Sequence, residues 1–585
     1  MSNVGGKAFD FKLFRKVLAY SRPYQLLFVS SIVMTVVLGA VGTARPLLTR
    51  QVIDDAILGN DAPMLIRLTL WLVGLLIFES IGQFAFMYAA NWLGQSIIKD
   101  IRIELYGKLQ NFKLSFYDRT PIGQLVTRVV SDIETVAQVF SEGILVIFGD
   151  LFRIAVMVIT MFFFFNPWLV LVSLSIIPVL FIATRWFQQG IKSSFQSVRN
   201  EVANLNTFVQ EHLGGMAIVQ AFGREEQEMK KFVAINERHR DANIKSIFYY
   251  ALFFPIIEIL SAVSIGLAVW YGGMNAANGG NVTVGELTAM IMFIGMLFRP
   301  LRQLADRFNT LQMGMVASER VLKLLESDHE EEPNGEVKLE LEGSIALNNV
   351  EFEYLPNERI LKGVSFDAQK GETVAIVGAT GAGKSTIISV LMGFYPYLSG
   401  EVMIDGISLK TIDLKHLRAQ MALVLQDVFL FSDTVRSNIV MGDNTISDET
   451  ILKAAQEIGI QDFINELPEG LNYNVRERGG VLSAGQRQLL AFLRAYITNP
   501  KVLILDEATS SIDSHTEELI QRALLALTKD RTSIIIAHRL STIQHADRIV
   551  VLDQGKVVEM GSHAELLGKR GAYFNLYEKQ FAAEV

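Results

Sequence analysis

Cysteine is absent from the 585 residues, and charged residues make up only 19% of the chain. Without cysteine the chain has neither a disulfide framework nor a thiolate metal site, so its composition does not reveal a redox compartment. Its 53 Lys and Arg are outnumbered by 61 Asp and Glu, which gives a net charge of −8, and no long basic run occurs. A nucleic-acid-binding protein needs a concentrated basic face, so this composition argues against that class.

Apolar residues, by contrast, are abundant: they make up 50% of the chain and raise its mean hydropathy to +0.31. Six stretches approach the roughly 20 apolar residues that span a bilayer. These predicted spans lie near residues 25–46, 64–92, 143–165, 168–189, 248–274 and 285–305. We therefore predict a multidomain membrane protein whose residues 25–325 form an all-α transmembrane domain with six helices.

The distribution of Lys and Arg predicts how these spans are oriented. Residues 94–142 and 186–247 hold six and eight basic residues, whereas the short connections at the other ends of the spans hold none. Because basic connections stay in the cytoplasm, both termini are predicted to be cytoplasmic. Residues 1–24 contain no small-residue cleavage site, so we interpret them as a retained cytoplasmic lead-in rather than a signal peptide.

The two basic connections are about 50 residues long, which is too long for structureless loops. In the first, apolar residues recur at helical spacing, at Ile98, Ile101, Leu105 and Leu109. We expect each connection to extend the membrane helices as two antiparallel arms, about 35 Å long at 1.5 Å per residue. Amphipathic helices lying on the membrane surface are the alternative.

The composition changes after Leu325. Residues 326–340 begin with the acidic run ESDHEEEPNGE and are predicted to be a linker. Over residues 341–585, short β-rich runs such as TVAIV and KVLILD alternate with helical stretches. This alternation predicts an α/β domain with a largely parallel sheet.

Residues 378–385 read GATGAGKS and lie between an apolar run and a helical run, the setting of a P-loop. Glycines let backbone N–H groups close on phosphate oxygens, Lys384 reaches the β- and γ-phosphates, and the Ser385 hydroxyl can hold Mg²⁺. A glycine-rich turn that only joins a strand to a helix is the alternative, and the GKS ending argues against it. The predicted ATP-binding residues here are Gly378, Ala379, Thr380, Gly381, Ala382, Gly383, Lys384, Ser385 and Thr386.

The run KVLILDEATSSID places Asp506 and Glu507 at the end of a predicted buried strand. Open α/β sheets bind ligands at such strand ends. We predict that Asp506 supports Mg²⁺ and that Glu507 polarises the water that attacks the γ-phosphate. A solvated acidic loop is the alternative, and the presence of a P-loop argues against it.

Between these two motifs lies LSAGQRQLLAFLRA, and at this point the chain resembles ATP-binding cassette (ABC) transporters. Ser483, Ala484, Gly485 and Gln486 are similar to the LSGGQ signature of that family, with Ala484 in place of its first glycine. The resemblance implies an α/β P-loop nucleotide-binding domain that hydrolyses ATP.

The resemblance implies further site residues in the same domain. They are Tyr354 for stacking on adenine, Gln426 in the Q-loop, Ser510 to Asp513 as the D-loop, and His538 as the switch histidine. His538 would contact the γ-phosphate and help to hold Glu507, while Ser385, Gln426 and Asp506 would surround Mg²⁺. Taken singly, an ordinary strand aromatic, a solvated turn residue and a satisfied histidine are equally good interpretations. Their joint order and spacing favour the family.

Two cassettes of this kind are implied to sandwich two ATP molecules, each held by the P-loop of one subunit and residues 483–486 of the other. The chain has one cassette, so a second half-transporter is an expected partner. Lys384, Glu507 and His538 are all present, which favours a homodimer; the consensus half of a heterodimer is the alternative. The six-helix half resembles half-size exporters of the multidrug and lipid type, and FYDRTPIGQLVTRVVSDIE and EHLGGMAIVQAFGREEQE resemble their intracellular arms and coupling helices.

Ionisable residues inside predicted spans cost free energy unless they are paired with another group or hydrated. Asp150 and Arg153 stand three residues apart on one helix, and we predict that they form an ion pair; a contact with the substrate is the alternative. Glu79 and Glu258 have no obvious partner in the sequence. A carboxylate at Glu258, shortly after Pro255, could face a cavity and favour cationic substrates; interhelical hydrogen bonding is the alternative.

These features predict an ATP hydrolase coupled to transport. It would export a hydrophobic or amphipathic substrate, drug-like or lipid, from the cytoplasm or inner leaflet by alternating access in a bacterial inner membrane. A lipid-specific flippase is one alternative, and an ATP-gated channel is a remote one. A soluble chromosome-maintenance ATPase would lack the six spans, and an importer would keep the two parts on separate chains. ATP and Mg²⁺ are the expected ligands.

Overall fold

The computed structural model describes residues 11–330, 335–506, 514–537 and 539–580. The chain divides into two compact units, one comprising residues 1–110 and 121–328 and the other residues 111–120 and 329–585. Among its described residues the first is helical and contains six helical segments long and apolar enough to cross a membrane, while the second is built on β-sheets. The predicted fold class is therefore confirmed.

In chain order the helices of the first 328 residues are α1 (Phe11–Ala19), α2 (Gln25–Gln51), α3 (Ala62–Gln110), α4 (Leu114–Arg119), α5 (Ile122–Thr127), α6 (Ile133–Gln138), α7 (Leu145–Phe164), α8 (Pro167–Leu174), α9 (Ile177–Gly214), α10 (Met216–Ala221), α11 (Glu225–Ala277) and α12 (Val284–Leu325). Short π-helical stretches continue some of them, at Val52–Ile57, Arg128–Asp132 and Val139–Ile144. The membrane-spanning segments are Arg22–Ile57, Ala62–Gln110, Ile122–Phe164, Pro167–Gly214, Glu225–Ala277 and Val284–Leu301.

These helices continue well beyond the apolar stretches that define the spans. α3 has 49 residues and α11 has 53, whereas about 20 residues suffice to cross the hydrocarbon core. Ile98, Ile101, Leu105 and Leu109 all lie on α3 and are buried, as their helical spacing predicts. α3 and α11 thus continue as helices into the basic connections; that these extensions are intracellular arms stays a prediction.

The second unit contains strands β1 (Ile345–Glu353), β2 (Arg359–Ala368), β3 (Thr373–Val377), β4 (Ser399–Ile404), β5 (Ile407–Ser408), β6 (Met421–Val424), β7 (Val502–Asp506), β8 (Thr532–Ile536), β9 (Arg548–Asp553) and β10 (Lys556–Gly561). Its helices after α4 are α13 (Lys384–Leu391), α14 (Leu414–Arg418), α15 (Val435–Val440), α16 (Asp448–Glu457), α17 (Gln461–Glu466), α18 (Ala484–Ile497), α19 (Ser514–Thr528), α20 (Leu540–Gln544), α21 (His563–Lys569) and α22 (Ala572–Gln580).

Two sheets organise this unit. β2-β1-β4-β5 form an antiparallel sheet, and β10-β9-β3-β8-β7-β6 form a second sheet in which only β10 runs antiparallel to its neighbour. The parallel strands are almost wholly apolar because both faces of the sheet are covered. One core cluster, which includes Ala375 and Leu505, lies on one face, and a second cluster, which includes Val374 and Ile504, lies on the other.

The register of the parallel sheet brings four strand ends to one edge. Ile376 of β3 and Asp506 of β7 both pair with Ile536 of β8, and Val424 of β6 pairs with Leu505. The carboxyl ends of β3, β8, β7 and β6 are therefore level. Since ligands of open α/β sheets bind at such an edge, the fold places the candidate site there.

Candidate nucleotide-binding site

The phosphate-binding loop runs from the end of β3 at Val377 to the start of α13 at Lys384. Two of its glycines are required, one by close packing and one by its backbone conformation. A Cβ on Gly378 would lie 2.1 Å from the carbonyl oxygen of Leu552, and Gly383, at φ +102°, leads directly into α13. The loop keeps its backbone N–H groups at a helix N-terminus, which favours anions.

Lys384 is buried, with 7% of its surface exposed, and its Nζ lies across the loop. The ammonium donates hydrogen bonds to the carbonyl oxygens of Gly378 at 2.7 Å and Ala379 at 3.1 Å. Burial lowers the pKa of this lysine, and the nearby negative charge of Asp506 partly opposes that shift. The charge is thus held at the loop by carbonyl groups that phosphate oxygens could replace.

Ser385 of the P-loop and Asp506 at the end of β7, both predicted site residues, are in contact. The Ser385 hydroxyl donates to Asp506 Oδ2 at 3.0 Å, which joins the first turn of α13 to the end of β7. Gln426 lies two residues beyond β6 and is exposed at the same edge of the sheet. A hydroxyl, a carboxylate and an amide oxygen are hard donors of the kind that Mg²⁺ prefers, so the residues present fit that ion.

Tyr354 follows β1 and stands over the start of α13. Its hydroxyl donates to Thr386 Oγ1 at 3.4 Å, and its ring packs edge-on against Phe352 and Tyr395, with centroids 4.7 Å and 5.1 Å away. About 37% of its surface remains exposed. The arrangement fixes the ring beside the phosphate-binding loop and leaves part of the residue open to a planar ligand.

The signature segment forms the N-terminus of α18. Ser483 is the N-cap: its hydroxyl accepts from the N–H of Gln486 at 3.2 Å, and its own N–H donates to Gln486 Oε1 at 2.9 Å. Ala484 is the first helical residue, so the alanine in place of the signature's first glycine needs no special backbone conformation. Gly485 is buried behind it.

In the part of the chain that the structure describes, no hydrogen bond joins Ser483 or Gln486 to the phosphate-binding loop. Within one chain, the described hydrogen bonds join the P-loop to Asp506, whereas the signature forms its own capping box at the start of α18. Glu507, Ser510 to Asp513 and His538 lie outside the described residues. The strand ends that precede them, at Asp506 and Ile536, are at the same edge of the sheet.

Comparison with known proteins identifies both halves. Residues 27–301 match the family described as ABC transporter transmembrane region, and residues 361–510 match the family described as ABC transporter. The chain is 36% identical over 583 residues to the ABC transporter ATP-binding protein YknV of Bacillus subtilis, covering 99% of this chain and 96% of that protein.

The chain belongs to the ABC transporter family. A relative from Albidiferax ferrireducens named ATP-dependent lipid A-core flippase is 34% identical over 97% of this chain and 98% of its own length. A solved structure of a bacterial Atm1-family ABC exporter with ATP bound superposes with a TM-score of 0.76 at 28% identity, covering 98% of this chain and 99% of that one. This ABC transporter is accordingly a multi-pass membrane protein of the exporter type whose cassette is an ATPase coupled to transport.

One prediction for the membrane half of this ABC transporter was wrong. Asp150 pairs with Arg307 of α12, with Oδ2 and Nε 3.1 Å apart, and not with Arg153 on its own helix. A spacing of three residues permits contact along one helix, but packing of α12 against α7 brings another arginine to the carboxylate. Glu79, which had no evident partner, has Arg45 Nη1 3.8 Å from its Oε2.

Two groups of residues escaped the sequence reasoning. Arg119 of α4 donates to the carbonyl oxygen of Tyr354 at 3.0 Å, and Asp118 accepts a hydrogen bond from the hydroxyl of Tyr395, so both belong to the surroundings of the adenine-stacking candidate. Their segment, FYDRTP, was noticed only as part of an arm. Arg45 and Arg299 were passed over although they lie within predicted spans, where an ionised residue is itself a signal of function.

Proposed function

We propose that the chain is one half of a homodimeric ATP-driven exporter, which moves a hydrophobic or amphipathic substrate out of the cytoplasm or inner leaflet by alternating access. The proposal is supported by the fusion of six apolar helices to a cassette in which Ser385 of the P-loop contacts Asp506 and the signature caps a different helix. A site divided in this way is completed by a second copy. The relative named as a lipid A-core flippase supports an amphipathic substrate.

In the proposed cycle, Lys384 exchanges its two carbonyl partners for the β- and γ-phosphate oxygens of ATP. Ser385, Gln426 and Asp506 would hold Mg²⁺, which when bound neutralises charge on the phosphate oxygens. Glu507 would act as the general base toward water, with His538 contacting the γ-phosphate. Ser483, Ala484, Gly485 and Gln486 would close the site from the second subunit, and the D-loop residue Asp513 would lie between the two sites.

The proposed location is a bacterial inner membrane with the cassette in the cytoplasm. The basic connections between spans support that orientation, because Lys and Arg near span ends favour the cytoplasmic side. ATP binding to the cassettes would favour the closed dimer only to the extent that ATP binds the closed state more tightly. A substrate would likewise couple to hydrolysis through its different affinities for the inward-facing and outward-facing states.

The first experiment is steady-state ATPase activity of the chain alone in lipid nanodiscs, comparing the wild type with Glu507→Gln. We expect activity in the wild type and its loss in the variant, with ATP binding retained, because only the general base is removed. Undiminished hydrolysis in Glu507→Gln would reject the catalytic assignment. A wild type that binds ATP without hydrolysing it would reject the homodimer and point to a different partner half.

Whether the signature acts in trans can be tested by mixing two inactive chains, Lys384→Ala and Ser483→Arg. If the signature acts across the dimer, a mixed dimer has one composite site with both defects and one intact site, so ATP occlusion returns. If the signature acts within its own chain, both sites of the mixed dimer stay defective. Absence of rescue at verified mixed-dimer formation would therefore reject the proposed arrangement.

A further inference from the structure

A cavity of about 650 Å³ opens among the membrane helices of the first unit. Its wall combines apolar side chains with two arginines, Arg45 of α2 and Arg299 of α12. Phe254, Met292 and Met296 supply the apolar part, and Gln303 adds an amide. A flexible apolar surface of Met and Phe accommodates varied hydrocarbon shapes, whereas two guanidinium groups specifically recognise carboxylate and phosphate groups.

Both arginines lie within helices apolar enough to span a membrane, Arg45 in Arg22–Ile57 and Arg299 in Val284–Leu301. The outer ends of α2 and α12 are joined where the Thr283 hydroxyl donates to Asp54 Oδ2 at 2.5 Å. From this junction Arg45 is nine residues along its helix and Arg299 is sixteen, which at 1.5 Å per residue is about 14 Å and about 24 Å. Both distances are shorter than the thickness of a hydrocarbon core, about 30 Å. An ionised side chain inside a membrane costs free energy unless another group pairs with it.

The described residues only partly provide that partner. Glu79 approaches Arg45 at 3.8 Å, which is an ion pair but is longer than a hydrogen bond, and Arg45 Nε is buried without a hydrogen-bond partner among the described residues. Within the same described ranges, no carboxylate lies within ion-pairing distance of Arg299, and no acidic residue lines the cavity. The lining is thus positively charged, and the two guanidinium groups keep donors available for an anion.

We propose that this cavity binds amphiphiles whose head group is a phosphate or carboxylate, with Arg45 and Arg299 binding the anion and Phe254, Met292 and Met296 holding the hydrocarbon. Guanidinium groups suit such anions because they donate two parallel hydrogen bonds to paired oxygens. The proposal reverses the cationic preference expected from Glu258, which does not line the cavity. That the bound amphiphile is the transported substrate rests on the proposed export function; the binding itself does not.

Binding can be measured without ATP by native mass spectrometry of the full-length chain in a neutral maltoside detergent. The probes are dodecyl phosphate, dodecyltrimethylammonium with the same alkyl chain, phosphatidic acid, and inorganic phosphate. We expect dodecyl phosphate to bind at least tenfold more tightly than the ammonium probe. Inorganic phosphate should not compete, because it lacks the hydrocarbon. Phosphatidic acid competing with dodecyl phosphate would identify a lipid as the occupant, and its failure to compete would indicate a smaller anionic amphiphile.

Substitutions of the two arginines test whether they bind the anion. Arg45→Gln and Arg299→Gln should each weaken dodecyl phosphate binding about tenfold, the usual effect of losing one charged hydrogen-bonding group. Arg67→Gln, which removes the same charge from an exposed position on α3, is the matched control and should change binding less than twofold. Glu79→Gln should tighten binding, because it frees Arg45; misfolding would not produce that result.

The proposal is overturned if the ammonium probe binds as well as dodecyl phosphate, or if the Arg45→Gln, Arg299→Gln double variant binds it like the wild type. Retained ATP binding by each variant verifies that the cassette is folded. Because the binding assay uses no nucleotide, failure of the ATPase experiment leaves its outcome unchanged. Conversely, loss of anion binding with intact ATPase activity would reject this site and not the ATPase assignment.

Discussion

Replacing Arg50 by Gln should destabilise the outer ends of the membrane helices. Arg50 Nη1 donates to the carbonyl oxygen of Phe164 at 2.6 Å, and the same guanidinium lies 3.6 Å from Asp54 and 4.0 Å from Glu286. Glu286 is buried and also accepts from the N–H of Asn166 at 2.6 Å. One side chain therefore connects α2 to the end of α7 and to the start of α12.

The magnitude follows from these contacts. The charged hydrogen bond to a carbonyl is worth about 1.5–3 kcal/mol. The ion pairs, at 3.6 Å and 4.0 Å, are longer than hydrogen bonds. Their Coulomb attraction, about 4 kcal/mol at an effective dielectric constant of about 20, is largely offset by desolvation of the charges. Losing the hydrogen bond and leaving Glu286 buried without its cation should together cost about 3 kcal/mol.

The assay is equilibrium unfolding of the full chain in mixed micelles, followed by tryptophan fluorescence. Arg50→Gln should lower the free energy of unfolding by about 3 kcal/mol, and adding Glu286→Gln should recover about 1 kcal/mol by removing the stranded carboxylate. Arg67→Gln, an exposed arginine near the start of α3, should stay within about 0.5 kcal/mol of the wild type. Equal effects of Arg50→Gln and Arg67→Gln would refute the reasoning.

Three further predictions concern the cassette. Gly378→Ala should lower the free energy of unfolding by about 2–3 kcal/mol, because its Cβ meets the Leu552 carbonyl oxygen. Gly381→Ala, at φ +82° with open space, should lower it by about 1–2 kcal/mol. Thermal unfolding that ranks the two variants in the reverse order would contradict this. Ala484→Gly should cost about 0.5–1 kcal/mol of helix stability and leave steady-state ATPase activity unchanged; a several-fold gain would show that the alanine restricts the signature. Burial raises the pKa of Tyr573 to about 12. The contribution of Tyr573 to stability is therefore present below a pH of about 10 and is lost as the pH rises toward about 12. A phenolate titration should show this late step in the wild type and not in Tyr573→Phe.

The nucleotide site was the part most accessible to sequence reasoning. The segment around Lys384 and Ser385 combines glycines, a lysine and a hydroxyl at fixed spacing, and local chain geometry alone converts that spacing into a loop at a helix N-terminus. Ser483 and Gln486 similarly form their capping box between residues three apart. The contact of Ser385 with Asp506 joins positions 121 residues apart, and parallel strand pairing supplies it.

In the membrane half the sequence determined the number of spans and their helical extension into the arms, because both depend on apolar content and helical period along one segment. Which charges meet depends instead on how the helices pack. Asp150 pairs with Arg307 rather than Arg153, and Arg45 shares a cavity wall with Arg299, because helix packing brings together residues from distant parts of the chain. The free energy of an intramembrane charge depends on those neighbours, and no local pattern specifies them.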